Sequence, residues 1–364
     1  MSSPAESMLD AAGKVGYPGA VMDGRIGPPG KRVGTMATGT GTTWIVVLNW
    51  QGAADTIACL RSLAALVDRD WRVVVCDNAS ADDSWPRLLS AMADIFGAPP
   101  VVLEEAAVGT AVVAAGAPAR VYLVRNCGNH GYAGGNNVGL RLALSDPAMA
   151  FAWVLNNDTE VDPNALCALR RAAAARPQAG LFGSSLVFHH QPDRLQAAGG
   201  ATYNRWTGLV RHNGGGRPLA EAEQWRTARM DYVVGAAMFL RRAWLEQVGL
   251  MDPGFFLYFE EIDYCRRGRR SFALAYAPDS IVRHKEGGTT GGRPGAINLL
   301  TEFYMIRNRL RITQRHFPYA LPVVMAGLLV TAVNRLRRGQ PERVGLIWRI
   351  ATRFRTIEYT DIAA

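Results

Sequence analysis

The sequence predicts an α/β protein built on an open, mostly parallel sheet, with a basic helical region appended at its C-terminal end. Three observations carry this. Short apolar, β-branched runs recur along the first half of the chain, namely Trp44-Ile-Val-Val-Leu48, Arg72-Val-Val-Val-Cys76, Val121-Tyr-Leu-Val124 and Phe151-Ala-Trp-Val-Leu155, and each has the length and composition of a strand buried on both faces. Helical periodicity fills the gaps between them. Polar residues, Asn49, Asp77, Asn126 and Asp158, stand just past the ends of these runs, where open α/β sheets hold their ligands.

Taken in order, the first run ends at Asn49 and Gly52, and Ile57, Leu60, Leu63, Ala64 and Val67 then form one apolar helix face before the second run. Strand, helix and strand imply a right-handed parallel crossover. The Ala/Gly-rich stretch from Glu104 to Pro118 interrupts the alternation and reads as a surface insertion or ragged edge elements. After the third run a helix is expected from Gly135 to Leu144. After the fourth, Asp162 and Pro163 offer an N-cap and first-turn proline for a helix through Ala175. A shorter strand-like run, Phe272 to Ala277, precedes His284.

Composition bounds the rest. The 364 residues are 49% hydrophobic, enough for a large core and unlike a disordered chain. The five cysteines are far apart without a C-x-x-C pair, which argues against a zinc knuckle or a disulfide framework and for a reducing compartment. Residues 1–40 are rich in Gly, Pro and Ser and lack an apolar h-region, so they read as a disordered extension with no signal peptide. The formal charge of +9 is concentrated after residue 300, where eleven arginines face Glu302, Glu342, Glu358 and Asp361. These arginines flank an uncharged apolar run, Leu321 to Val333, that is shorter than the roughly 20 residues a span requires. An interfacial or docked helix near anionic lipid is favoured over a span and over nucleic acid.

Several residues could carry chemistry. Asp77, in Cys-Asp-Asn-Ala-Ser, could accept a hydrogen bond from a nucleobase imide or a ribose hydroxyl, or close an Asx turn. Asp158, after Asn156 and Asn157, offers hard oxygen to a divalent ion bridging two phosphates, or forms a turn. The segment from Gly128 to Gly139, with Gly131, Gly134, Gly135, Asn136 and Asn137 inside it, resembles a phosphate-cradling loop at a helix N-terminus, its alternative being a tight turn. It follows the third strand rather than the first, which disfavours a dinucleotide site. Glu260, Glu261 and Asp263 cluster behind an aromatic run, as a general base with a raised pKa requires, and could also complement a helix dipole. His284 could ligate a metal or be a bystander.

In their order and spacing these segments resemble family 2 glycosyltransferases of the GT-A fold, in the rhamnosyltransferase-like and galactofuranosyltransferase-like branches. The resemblance runs from Trp44 to about His316 and includes Val-Val-Leu-Asn-Trp, Cys-Asp-Asn-Ala-Ser, Gly131-Tyr-Ala-Gly-Gly-Asn-Asn-Val-Gly139, Leu155-Asn-Asn-Asp-Thr159, Gly235-Ala-Ala-Met-Phe-Leu-Arg-Arg242, Phe256-Leu-Tyr-Phe-Glu-Glu-Ile-Asp263 and Arg307-Asn-Arg309. It implies a GT-A catalytic domain over 41–295 and a basic helical region over 296–364. It further implies that Asp77 reads the donor nucleobase and that Asn49, Asn126, Gly134, Gly135, Asn136, Asn156 and Asn157 line the donor site. Asn156 and Asp158 would stand in place of the D-x-D motif, with Mg²⁺ or Mn²⁺ on Asp158 and His284. The base would be Glu261, with Glu260 and Asp263 behind it. The implied reaction is inverting transfer from a nucleotide diphosphate sugar, dTDP-rhamnose first and UDP-galactofuranose or another UDP- or GDP-hexose after it. The acceptor would be a lipid-linked or polysaccharide glycan at the inner face of the plasma membrane. A sugar nucleotidyltransferase, which would need a basic Gly-rich loop after the first strand, and a non-catalytic sugar-nucleotide-binding protein are the alternatives.

Overall fold

The computed structural model describes residues 41–110, 113, 120–285 and 298–363. The extension over 1–40, the insertion from 114 to 118 and the boundary at 295/296 lie outside the described residues.

The β-branched runs form the centre of a ten-stranded sheet. Strand β1 (Thr42–Asn49) lies between β2 (Trp71–Asp77) and β5 (Met149–Asn156), parallel to both. Outside β2 come β4 (Val121–Arg125) and an edge strand, β3 (Val101–Glu104), which lies just before the stretch read as an insertion and was not expected as a strand. Side chains alternate between the two faces. Ile45, Val47, Val73 and Val75 meet helices α1 (Ala53–Ala64), α2 (Ser84–Phe96) and α5 (Ala165–Ala175). Trp44, Val46, Val74 and Cys76 meet α4 (Gly131–Leu144), α6 (Arg242–Val248) and α7 (Glu260–Gly268). The turn Glu105–Val108 is α3. Trp44 donates from Nε1 to buried Asp146 at 2.9 Å, and Arg72 pairs with the same carboxylate at 3.4 Å, so the polar atoms that enter this core are matched.

The second half departs from simple alternation. After β6 (Thr159–Val161) the chain builds β7 (Ala179–Phe188) and β8 (Gln191–Ala198), then a separate three-stranded sheet of β9 (Gly200–Asn204), β10 (Leu209–His212) and β11 (Tyr232–Val233). It returns with β12 (Ala237–Arg241), which inserts antiparallel between β5 and β7. Strand β13 (Ala273–His284) then runs parallel to β7, with β6 antiparallel on its outer side. The expected run to Ala277 is thus only the first part of a twelve-residue strand, irregular between Ala277 and Ile281, that carries His284 itself.

Two helix starts differ from expectation. Helix α4 begins at Gly131, not Gly135, and α5 begins after Asn164 because Asp162 accepts from the Asn164 backbone N–H in a turn of its own. Helices α8 (Leu299–His316), α9 (Leu321–Arg337) and α10 (Pro341–Arg353) share a core of Phe303, Leu310, Val324, Leu328, Leu346 and Ile350. The apolar run is longer than its uncharged residues suggest. With the turn before it, Pro318–Arg337 is long and apolar enough to cross a membrane by length and composition, and 17% of its apolar window is buried.

Candidate active site

The parallel register brings Asn49 level with Asp77, and Leu48 level with Asn156, at one rim of the sheet. Asp77 Oδ1 accepts from Asn49 Nδ2 at 2.7 Å and from Ser80 Oγ at 2.6 Å, and Oδ2 accepts from the Ser80 backbone N–H at 3.1 Å. The turn reading is therefore realised: the buried carboxylate organises the loop after β2, in which Ala79 has a φ of 57°. Room for a further donor is left mainly on Oδ2. Asn49 Oδ1 accepts from Thr56 Oγ1 at 2.8 Å, and Asn157 donates to the same hydroxyl at 3.1 Å, which ties the ends of β1 and β5 to the start of α1. Asn157 is thus committed to the scaffold. Asn126 donates to Asn78 Oδ1 at 3.1 Å, while its own Oδ1 is buried and accepts no hydrogen bond among the described residues.

The glycine-rich segment is a packing element rather than an open cradle. A Cβ on Gly135 would fall 2.5 Å from Leu48 Cδ1, one on Gly134 2.7 Å from His130 Cβ, and one on Gly131 2.3 Å from the Phe256 carbonyl oxygen. Gly131 also holds a φ of +66°, which L side chains rarely adopt. These glycines let α4 approach β1 and the 256 loop closely, and the Tyr132 N–H is spent on Phe256 O at 2.6 Å. Asn136 is fully buried and donates to Tyr132 O at 2.9 Å. Close packing thus accounts for Gly134 and Gly135, while Asn136 keeps a buried Oδ1 without a hydrogen bond among the described residues.

Residues 156 to 158 and His284 do converge. Pairing of β6 with β13 sets His284 opposite Thr159, and His284 Nε2 lies 3.2 Å from Asp158 Oδ1 and 3.5 Å from Asn156 Nδ2. Gln196 Oε1, 2.9 Å from Nδ1, accepts the ring proton there and leaves Nε2 its lone pair. Asn156 Oδ1 is buried without a hydrogen bond among the described residues. A carboxylate, an imidazole nitrogen fixed in its tautomer from behind and a spare amide oxygen suit a hard divalent cation. Gln196 carried no signal in the sequence, since its role depends on β8 lying beside β7.

Glu260 and Glu261 open helix α7, whose N-cap, Phe259, has a φ of 72°. Successive helical residues turn by about 100°, so the two carboxyls diverge. Each leaves its Oε2 without a hydrogen bond among the described residues. Burial raises Glu261 to about 7, against backbone N–H groups that pull it down. Burial and the adjacent Glu261 push Glu260 well above the usual carboxylate range. Tyr132, which donates to Gly235 O at 2.6 Å, feels Glu260, Glu261 and Asp158 and is raised by burial first and by them second. It carried no separate signal in the sequence.

Asp263 is not available as a base. On the helix it turns away from Glu261 instead of sharing its side, and it is fully buried between Arg267 at 2.8 Å, His316 at 2.8 Å and Arg315 at 3.0 Å. Burial favours its neutral form, yet these partners hold it well below the usual range. Asp263 anchors α7 to α8.

Helix α8 also shapes the loop that presents the acids. Phe256, Tyr258 and Phe259 all have positive φ, a strained state that the surroundings must impose. Asn308 Nδ2 donates to the carbonyls of Phe255, Leu257 and Tyr258 at 2.7, 2.8 and 3.0 Å, and Arg307 donates to Gly254 O at 3.1 Å. Asn308→Ala is expected to cost about 1–3 kcal/mol of stability, read by thermal denaturation, and to lower turnover. Asn308→Asp, the same size but unable to donate, should be at least as damaging. Normal turnover in both would mean that the loop holds itself.

Residues 41–295 match the glycosyltransferase-like family 2. The chain belongs to this family. This glycosyltransferase-like chain is 27% identical over 150 residues to the low-salt glycan biosynthesis hexosyltransferase Agl10 of Haloferax volcanii, covering 41% of this chain and 47% of that protein. It is 28% identical over 166 residues to the N-acetylglucosaminyl-diphospho-decaprenol L-rhamnosyltransferase of Mycobacterium tuberculosis, covering 40% and 50%. The chain therefore spans about half the length of the curated relatives it matches. A crystal structure of GalNAc-T7 with UDP, GalNAc and Mn²⁺ superposes at a TM-score of 0.52 with 14% identity, over 75% of this chain and 48% of that one, a likeness of GT-A fold.

Proposed function

We propose that this family 2 member is an inverting, metal-dependent glycosyltransferase that moves a hexose from a nucleotide diphosphate donor to a hydroxyl of a lipid-linked or polysaccharide acceptor in cell-envelope glycan synthesis. The reading is supported above all by the meeting of Asn156, Asp158 and His284 at the same sheet rim as Asp77. Asp158 and His284, with Asn156 beside them, would hold Mg²⁺ or Mn²⁺. The cation would supply charge neutralisation to the departing diphosphate. Asp77 would accept from the nucleobase through Oδ2, with Asn49 and Asn126 shaping the rim. Glu261 would take the acceptor proton, since burial raises its carboxyl to about 7, toward the pH at which a general base works best. Burial of Glu260 beside it disfavours a second charge there. Because the base acts on the acceptor rather than on the sugar, one displacement suffices, and no covalent sugar intermediate forms.

dTDP-rhamnose is the first donor to test, in keeping with the L-rhamnosyltransferase among the relatives. A polyprenyl diphosphate-linked glycan is the acceptor class that fits a basic, apolar C-terminal region held near an anionic membrane on the cytoplasmic side. The test is a thermal-shift and saturation-transfer NMR screen of dTDP-, UDP- and GDP-sugars with Mn²⁺, followed by transfer to a synthetic lipid-linked acceptor. Binding of one nucleotide class with Mn²⁺ and turnover of its sugar is the expected result. Binding without turnover on any acceptor would favour a sugar-nucleotide-binding protein instead.

A further inference from the structure

Helix α9 is apolar on both its inner and its outer face. Its inward row, Val324, Leu328 and Arg335, packs on α8 and α10, with Arg335 paired to buried Glu302 at 2.7 Å. Its outward row recurs at spacings of three and four residues and is apolar: Met325, Leu329, Val330, Val333 and Leu336 are exposed, with Leu329 at 65% and Val330 at 63%. A helix on the surface of a water-facing domain keeps its outward face polar. Aromatic residues mark its surroundings. Tyr319, just before α9, meets Trp206 of the β9–β10 turn edge to face at 5.4 Å, and Trp348 on α10 is 68% exposed. From Leu321 to Arg355 the chain holds seven arginines and one acid, Glu342, and Arg337, Arg338, Arg349, Arg353 and Arg355 are exposed.

We infer that the outer face of α9 is an anionic-membrane docking surface on which the helix lies in the plane of the interface. An apolar stripe, half-exposed aromatics and an arginine rim are what lipid tails, the headgroup boundary and anionic headgroups respectively accept. In-plane insertion follows from the inner face. A helix crossing the bilayer alone would present all its sides to lipid, whereas here one side is occupied by the α8–α10 core and by the charged Glu302, which Arg335 and Arg343 both pair. The same α8 braces the loop before Glu260 and Glu261 through Asn308, so the surface that meets the bilayer is rigidly tied to the site. The inference deepens the membrane reading proposed above by naming its surface, and it rests on that reading only for the identity of the acceptor.

The test uses the full chain with vesicles of phosphatidylcholine alone or with phosphatidylglycerol. Flotation with the anionic vesicles, weakened by salt, is expected for the wild type. Leu329→Gln/Val330→Gln should lower partitioning by at least about tenfold, and Arg337→Ala/Arg338→Ala by roughly 25-fold. Donor affinity and transfer to a water-soluble acceptor should be unchanged in both, so loss of flotation is separable from loss of the transferase reading. Wild-type flotation of the Leu329/Val330 variant would overturn the inference. So would resistance of the bound chain to alkaline carbonate, which indicates a span, or a dimer by light scattering that the Leu329/Val330 variant abolishes, which assigns the face to a second copy.

Discussion

Glu261→Gln is expected to lower turnover roughly 10²–10⁴-fold, the range for loss of a general base, while leaving donor affinity near that of the wild type. The amide keeps the shape of the side chain and removes only its capacity to take a proton. Wild-type activity should rise with pH through about 7, as Glu261 ionises, and this limb should vanish in the variant. The stability linkage has the opposite direction. A carboxyl whose folded pKa is raised from 4.5 to about 7 contributes stability that is fully present below about 4.5 and is lost as the pH rises through about 7. Glu261→Gln should therefore be more stable than the wild type above pH 7 and lose that advantage in acid. Asp263→Asn provides the contrast, because removing one member of a buried ionic cluster costs about 3–5 kcal/mol. Its folded pKa is lowered, so the stability it contributes is present above the ordinary aspartate pKa and lost on acidification. Single-turnover transfer at several pH values, with donor affinity measured separately, distinguishes the cases. Near-normal turnover in Glu261→Gln with collapse in Glu260→Gln would move the base by one residue, and normal turnover in both would remove the acid pair from the mechanism.

Strands β1, β2, β4 and β5 were legible because each is a continuous apolar run, a signal that depends on burial of both faces, whereas the exposed edge strand β3 lacks it. Strand β12 was not legible as an insertion between β5 and β7, since Ala237–Arg241 reads the same whether its neighbours run parallel or antiparallel. Among the site residues, Asp158 and His284 were joined only through the family resemblance, because 126 positions separate them and only the β6–β13 pairing closes that distance. Asp263 failed for a local reason. The helical period from Glu260 onward turns Asp263 toward Arg315 and His316, residues of α8 whose approach no local pattern reports. The glycines of α4 carry a third kind of ambiguity. A glycine needed for close helix packing and one needed for a phosphate look alike in sequence, and only the contacts with Leu48, His130 and Phe256 tell them apart.

Asp158→Ala should abolish divalent-dependent binding of nucleoside diphosphate, with a loss above the roughly 100-fold that removal of a supporting partner can cost a metal site. It deletes the carboxylate at the centre of the cluster, and what stays behind, His284 Nε2 and Asn156, is neutral and cannot offset the charge of a cation by itself. His284→Ala should lose less, since water can occupy a vacated position while Asp158 keeps its charge. Gln196→Leu tests the geometry more finely. Without an acceptor 2.9 Å from Nδ1, the imidazole is free to place its proton on Nε2 and to turn away from Asp158, and affinity for the cation should fall by about 10–100-fold. Isothermal calorimetry of Mn²⁺ with nucleoside diphosphate reads all three. Unchanged Mn²⁺-dependent affinity in Asp158→Ala would remove the cation from this rim. A normal Gln196→Leu beside a dead Asp158→Ala would leave the carboxylate as ligand and reduce His284 to a neighbour, because an imidazole that ligates depends on what holds its other nitrogen.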